Sequence, residues 1–315
     1  MLKNSENFFY NGHLVIVGST ASGKSSLAMG IGRSRPVAEI ISIDSMAIYK
    51  NMDIGTATPS LEEQKEVRHH LLNLVEPCDE YAVPLFQSKV YSALDEITER
   101  KNRAVLVGGT GLHLRTVVDG FEIPPRFEFI RKEIEQTFDT ENLYKKLKKL
   151  DPVASTRIDP ANRRRIVRAL EVTIGSGKPF SSFGAGLNDY PPSPFLQVGI
   201  RLPKEVVDQR IAERYKKQIS EGFVEEVSSL MKKNEQLSKT ASKALGYKQI
   251  IEYINGKITL EEAIESAIIA TRQFARRQER WFRRDPRIEW LEVEKEPLDL
   301  LPIVIEKFDA LSQKC

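Results

Sequence analysis

The sequence predicts an α/β protein, a P-loop NTPase-like parallel sheet flanked by helices, with an all-helical insertion. Residues 18–25 read GSTASGKS, a full match to the phosphate-binding pattern G-x-x-x-x-G-K-[ST], between an apolar run at 13–17 and a helical stretch at 24–33. Strand-like runs and helical stretches then alternate, at 39–44, 85–101 and 104–107. This alternation is typical of a parallel sheet wrapped by helices on both faces.

The insertion is predicted from two breaks in this pattern. The first lies at Ile123–Pro125, after which residues 126–175 read as helices without a strand-like run. The second is the Gly-, Pro- and Ser-rich stretch at 182–194, after which 196–200 resumes strand character. We therefore predict a catalytic core of residues 1–120 and 196–315 and a helical insertion of residues 121–195. The rest of the chain is predicted to be mostly helical, with helices at 204–221, 222–234, 239–254 and 259–284. A last strand is predicted at 285–292.

Composition narrows the class of protein. The chain has 315 residues, 41% hydrophobic and 29% charged, as in soluble globular proteins. No apolar run has the length of a membrane span, and the N-terminus lacks a signal-peptide run, so we expect a cytoplasmic protein without a membrane partner. The two cysteines, Cys78 and Cys315, exclude a disulfide framework and suit a reducing compartment. The final QKC does not fit a prenylation box.

The phosphate loop is the strongest local signal. A strand, a glycine loop and a helix N-terminus aim backbone N–H groups at one point, which predicts a phosphate or diphosphate site. The lysine adds a point charge, and the hydroxyl of Ser25 is expected to hold Mg²⁺. The predicted binding residues are Gly18, Ser19, Thr20, Ala21, Ser22, Gly23, Lys24 and Ser25.

Two further groups follow predicted strands and should converge on this loop, because ligands bind at the carboxyl ends of parallel strands. Asp44 has three interpretations: a Mg²⁺ ligand, a base on a second substrate, or a cap of the next turn. Gly108–Gly111 with Thr110 is either a plain turn or a close approach to a ligand, and convergence favours the latter. Asp53, Thr56 and Thr58 lie in a loop that either covers the phosphates or is an ordinary connection.

Net charge is only +3, but arginines are concentrated in two places. Residues 163–168 hold four arginines, and residues 272–287 hold seven. Such runs are either solvated faces or nucleic-acid surfaces, and two of them can flank one groove. In the helix that carries the second run we predict a basic and an apolar face. The basic face comprises Arg272, Arg276, Arg280, Arg283, Arg284 and Arg287, and the apolar face comprises Ala267, Ala270, Phe274 and Trp281. His69–His70 lacks ligand-pair spacing and is interpreted as structural.

The ordered motifs resemble those of the tRNA dimethylallyltransferases, from about residue 14 to 290. They are GSTASGKS (18–25), DSMAIYKNMDIGTATP (44–59), HHLLNLVEP (69–77), VGGTGL (107–112), RIDPANRRRIVRALEV (157–172), ALGYKQ (244–249) and TRQFARRQERWFRRD (271–285). The resemblance implies transfer of a dimethylallyl group from dimethylallyl diphosphate to the exocyclic amine of the adenosine 3′ to the anticodon of tRNA. It implies Mg²⁺ and no ATP hydrolysis, and we expect a monomer.

The resemblance also implies residue roles. Asp44 would be the general base on a flipped adenine, and Thr110 would position that adenine or its phosphate. The insertion would grip the anticodon stem-loop. The implied tRNA-binding residues are Asp44, Ser45, Met46, Ala47, Thr110, Arg131, Arg164, Arg165, Ile166, Val167, Arg168, Lys243, Ala244, Leu245, Gly246, Tyr247, Lys248, Gln249 and Ile250. The family often has Pro, Gln and Tyr where this chain has Ser19, Ala47 and His113.

Three other functions fit parts of the sequence. A P-loop small-molecule kinase would explain the loop and the sheet, but not the two arginine-rich helices. An enzyme that prenylates free adenine nucleotides would need no stem-clamping surface. A nucleotide-gated RNA-binding protein would have no need of Asp44 and Thr110 at strand ends.

Overall fold

A computed structural model describes residues 12–184, 186–233 and 237–311, so Cys315 lies outside the described part of the chain. The chain divides into two compact units. The first contains the described residues up to Val118 and from Pro192 onward, and the second contains Asp119–Pro191. No helix of the described residues is long and apolar enough to cross a membrane.

The first unit is built on one sheet of six parallel strands in the order β3-β2-β4-β1-β5-β6. The strands are β1 (Leu14–Gly18), β2 (Ala38–Ser42), β3 (His69–His70), β4 (Arg103–Gly108), β5 (Leu196–Arg201) and β6 (Glu289–Glu292). The apolar runs that predicted β1 and β4 are buried on both faces, as expected for central parallel strands. The structure confirms the predicted parallel sheet flanked by helices.

Helices of the first unit cover the sheet on both faces. They are α1 (Lys24–Ser34), α2 (Asp53–Thr56), α3 (Leu61–Glu66), α4 (Val83–Glu99), α5 (Gly111–Val118), α10 (Lys204–Ser220), α11 (Phe223–Lys233), α12 (Tyr247–Ile254), α13 (Leu260–Phe282) and α14 (Leu301–Ala310), with short 3₁₀ turns at Ala241–Lys243 and Pro297–Leu300. One apolar cluster packs α1 and α14 on one face, and a larger one packs α4, α5 and α10–α13 on the other.

The described residues of the second unit form helices and no strand. Its helices are α6 (Glu128–Glu135), α7 (Thr140–Leu150), α8 (Pro152–Arg157) and α9 (Arg163–Ser176), with a 3₁₀ turn at Phe180–Phe183. Leu147, Ile166 and Leu170 are fully buried in its own core. This core contains no residue of the sheet, so the second unit is a compact body with its own core.

The structure corrects three details of the sequence interpretation. The predicted helix at 239–254 is broken, because Gly246 has φ +86°, and α12 begins only at Tyr247. Strand β3 was missed because two histidines form no apolar run; His70 Nε2 lies 2.7 Å from Glu39, consistent with the structural role expected for this pair. Helix α14 was not predicted either, although Val304 and Phe308 bury one face of it.

Candidate active site

The phosphate loop joins β1 to α1. A Cβ on Gly18 would lie 2.7 Å from Ser22 Oγ and 2.9 Å from the carbonyl oxygen of Ile200, so only glycine fits there. Gly23 has φ +83° and precedes α1 without a side-chain cap, and the first turn of α1 carries no acidic residue. The first N–H groups and the positive end of the α1 dipole are therefore directed at this loop, as anion binding requires.

Lys24 lies within the loop it was expected to serve. Its Nζ donates to the carbonyl oxygen of Ser19 at 2.6 Å. Burial lowers the pKa of Lys24 to about 8, with Asp44 acting to raise it and Arg214 to lower it further. A half-desolvated ammonium of this kind gains more from an anionic ligand than an exposed lysine would.

Asp44 follows β2 and lies close enough to Lys24 to influence its charge. One carboxylate oxygen, Oδ1, accepts the backbone N–H of Met46 at 2.7 Å. The turn-capping interpretation of Asp44 is thus correct for Oδ1. This bond fixes the orientation of the carboxylate and leaves Oδ2 to act as an acceptor or base.

Thr110 follows the end of β4 and contacts Ser45, the residue after Asp44. The backbone N–H of Ser45 donates to Thr110 Oγ1 at 3.4 Å, and Thr110 Oγ1 donates to Ser45 Oγ at the same distance. A Cβ on Gly108 would overlap the backbone of Ile43, so the two strand ends touch. The structure therefore brings the phosphate loop, Asp44 and Thr110 together, as their positions at strand ends predicted.

Arg214 also belongs to this site, and the sequence interpretation missed it. It lies on α10, and its Nη1 donates to Thr20 Oγ1 at 3.3 Å, while Nη2 donates to the carbonyl oxygen of Gly55 at 3.3 Å. A second positive charge therefore lies beside Lys24 at the phosphate loop. No motif or spacing marks Arg214, because its position depends on how α10 packs.

The segment around α2 is held by α10–α12. Glu226 accepts the N–H groups of Ile54 and Gly55 at 2.8 and 3.2 Å, and Gln218 Nε2 donates to both carbonyl oxygens. Burial raises the pKa of Glu226, although these donors and Tyr247 oppose the shift. The segment is therefore firmly anchored to the helices.

Within that segment, the three polar side chains bond locally. Asp53 accepts from Asn73 at 3.0 Å, and Thr56 Oγ1 lies 2.7 Å from Thr58 Oγ1. These contacts match the interpretation as a polar connection, and Arg214, which donates to both Gly55 and Thr20, links this loop to the phosphate loop.

Several residues expected to touch RNA are buried. Tyr247 donates its hydroxyl to Glu226 at 2.6 Å, and Gln249 accepts the N–H of Gly246 at 3.0 Å. The side chains without surface for an RNA contact are those of Ala47, Ile166, Val167, Ala244, Tyr247, Gln249 and Ile250. In the ALGYKQ region, Lys243 and Lys248 are exposed and Leu245 is half-buried. Direct contacts there would fall to the two lysines.

The arginines of the second unit fall into two groups. Arg168 donates to buried Glu171 at 2.6 Å and to the carbonyl oxygen of Pro124 at 2.7 Å, and Arg131 lies 3.6 Å from the same carboxylate. Arg131 thereby joins α6 to α9, and Arg168 joins α9 to the segment that precedes α6. Arg164 and Arg165 are exposed on the first turn of α9, and neither makes an ion pair with any described residue.

The arginines at 272–287, which lie on α13 and just beyond its end, are likewise divided. Arg276 donates to Asp208 at 2.8 Å, and Arg287 bonds Asp285 at 2.6 Å, so both are neutralised within the protein. Arg280, Arg283 and Arg284 are exposed. The buried face is rotated from the predicted one: it comprises Ala263, Ala267, Thr271, Ala275, Gln278 and Phe282. Its two polar residues were missed because polar side chains rarely mark a buried face.

The donor set at this corner fits Mg²⁺ with a bound diphosphate. Ser25 lies on the exposed first turn of α1, and the Asp44 carboxylate is close enough to Lys24 to act on its pKa. The described residues contain no cluster of three or more His, Cys, Asp or Glu side chains that could hold a metal. Mg²⁺ needs no such cage, because water and substrate phosphates complete its shell.

Comparisons with known proteins agree with this geometry. The family profile described as IPP transferase matches residues 47–285. A protein of Carboxydothermus hydrogenoformans named tRNA dimethylallyltransferase is 43% identical, covering 91% of this chain and 93% of its own. One of Bifidobacterium adolescentis with the same name is 42% identical, covering 88% and 83%.

Two solved structures are also similar. The tRNA isopentenylpyrophosphate transferase of Bacillus halodurans is 32% identical with a TM-score of 0.68, covering 96% of this chain and 98% of its own. A eukaryotic dimethylallyltransferase described as acting on tRNA is 25% identical with a TM-score of 0.72, covering 89% and 73%.

Proposed function

We propose that this chain, which belongs to the IPP transferase family, is a tRNA dimethylallyltransferase. It transfers a dimethylallyl group from dimethylallyl diphosphate to the exocyclic amine of the adenosine 3′ to the anticodon, giving isopentenyladenosine and diphosphate. The observation that carries this proposal is the convergence of an anion-binding loop with a turn-fixed carboxylate, Asp44, at one sheet edge.

The diphosphate end is assigned to the phosphate loop. The backbone N–H groups of residues 18–25 and the start of α1 receive the diphosphate, with Lys24 and Arg214 placed to neutralise it. As the bond from carbon to diphosphate oxygen breaks, negative charge grows on the leaving group. Fixed donors and cations stabilise that charge more in the transition state than in the ground state.

The carboxylate end is assigned to proton transfer. The adenine amine is a weak nucleophile, because its lone pair is delocalised into the ring. As the amine nitrogen forms its bond to the allylic carbon, its proton passes to Asp44, whose Oδ1 is already fixed by Met46. Thr110, held beside Ser45, positions the adenine that has left its stack.

The second unit is proposed to bind the anticodon stem-loop. Arg164 and Arg165 contact phosphates, because their charges are exposed and make no ion pair with the described residues. Arg131 and Arg168 support that surface through Glu171. In the first unit, Lys243 and Lys248 are the exposed cations of the ALGYKQ region.

Ser25 would hold Mg²⁺ together with the bound diphosphate, and the ion would supply charge neutralisation of the leaving group. We propose a monomer as the working unit. The two cysteines of the sequence and the tRNA substrate support action in the cytoplasm.

A four-arm assay tests this function. The protein is incubated with labelled dimethylallyl diphosphate or labelled ATP, and with tRNA or AMP. We expect label in tRNA only with dimethylallyl diphosphate. Label in AMP would favour prenylation of free nucleotides, label from ATP would favour a kinase, and tRNA binding without transfer in any arm would favour a non-catalytic RNA-binding protein.

A further inference from the structure

A buried amide bridges the two halves of the active site. Gln278 lies on α13 and is 7% exposed. Its Oε1 accepts the backbone N–H of Thr20 in the phosphate loop at 2.8 Å, and its Nε2 donates to the carbonyl oxygen of Gly109, beside Thr110, at 2.8 Å. One side chain therefore joins the diphosphate loop to the loop that carries Thr110.

The surrounding packing makes this bridge tight. A Cβ on Gly109 would overlap the Gln278 amide, and a Cβ on Gly111 would overlap the indole of Trp281, one turn further along α13. The residues on both sides of Thr110 are thus covered by α13. Because glycine backbone is otherwise permissive, the position of Thr110 depends on these contacts.

We propose that Gln278 is a positioning residue that sets the distance between the diphosphate loop and Thr110. The inference rests on the proposed function. Transfer requires the allylic carbon, held through its diphosphate, to meet an amine held at the Asp44 and Thr110 corner. A displacement of one loop against the other separates the reacting atoms without removing a contact to either substrate. Such misplacement acts on the chemical step more than on binding.

The first experiment uses Gln278→Met, which keeps the shape of the side chain and removes both hydrogen bonds. We expect the single-turnover rate of transfer to fall by about ten- to a hundredfold. The dissociation constants for dimethylallyl diphosphate and tRNA should change by less than about threefold. Gln273→Met, an exposed glutamine on the same helix, is the matched control and should behave as wild type.

A double-mutant cycle separates positioning from general loss of structure. If Gln278 acts through Thr110, then Gln278→Met should have little further effect on the rate in a Thr110→Val background. Gln278→Asn keeps the amide but is too short to span both loops, so it should reproduce the loss of rate if the methionine variant does not fold.

Three results would overturn the inference: an unchanged rate in folded Gln278→Met, a loss of rate matched by equal loss of both affinities, or fully additive effects in the cycle. An absence of transfer by the wild-type protein would instead refute the proposed function, so the two failures are distinguishable.

Discussion

Replacing Arg164 and Arg165 together by alanine tests the assignment of the RNA surface. Both side chains are exposed on α9 and make no ion pair with a described residue, so their loss should change the free energy of unfolding by less than about 0.5 kcal/mol. If each contacts one phosphate, the slope of log K against log salt should decrease by about 0.7–0.9 per arginine. Two contacts then amount to about 1.6 slope units, or roughly a twentyfold loss of affinity at 0.15 M salt.

The assay is a tRNA binding isotherm repeated across a salt series. Arg164→Lys with Arg165→Lys keeps both charges and should retain the slope, and the affinity for dimethylallyl diphosphate should not change in either variant. A wild-type slope in the alanine variant would show that these arginines are a solvated face. Arg168→Ala offers a contrast, because it removes the 2.6 Å bond to buried Glu171 and should destabilise the fold by about 3 kcal/mol.

Three further predictions concern charge and burial. Lys24→Ala should reduce turnover by about 10²–10³-fold with the fold intact. Because the pKa of wild-type Lys24 is about 8, the diphosphate affinity of the wild-type protein should fall as pH rises through 8. Near-normal transfer by the variant would contradict both expectations. Burial raises the pKa of Glu39, but hydrogen bonds from Arg100, Asn102 and His70 outweigh burial and lower the pKa to about 2. The stability that Glu39 contributes should therefore be present above pH 4.5 and be lost as the pH falls through 2. Acid unfolding would report this loss, and the contribution should be absent in Glu39→Gln. Gln197 is buried with no hydrogen-bond partner for its amide among the described residues, so Gln197→Met should raise the free energy of unfolding by about 1–2 kcal/mol, and a lower denaturation midpoint would refute this.

Apart from β3, the strands and the phosphate loop could be predicted from the sequence because their signals are local. The apolar run Leu14–Gly18 is short, rich in β-branched residues and ended by glycine, which favours a buried strand, and the glycine pattern that follows favours a phosphate site. Asp44 and Thr110 could then be brought together, because strand ends of a parallel sheet share an edge.

Positions that depend on packing could not be predicted in this way. Arg214 reaches the phosphate loop only because α10 packs where it does. Gln278 lies on the buried face of α13, and this face is rotated from the one that the apolar residues predict. The helix break at Gly246 arises from a positive φ that the sequence allows but does not require. Likewise, the arginines at 163–168 look equivalent in sequence, yet Glu171 neutralises Arg168.

The central claim is that Asp44 takes the proton while the phosphate loop holds the diphosphate. Asp44→Asn keeps the shape of the side chain and the bond from Met46 while removing basicity. Single-turnover transfer with preformed enzyme, tRNA and labelled dimethylallyl diphosphate should slow by about 10²–10⁴-fold, with both substrates bound as tightly as by wild type. A variant that loses tRNA affinity but performs single-turnover chemistry at the wild-type rate would show that Asp44 is a binding residue and would contradict the account.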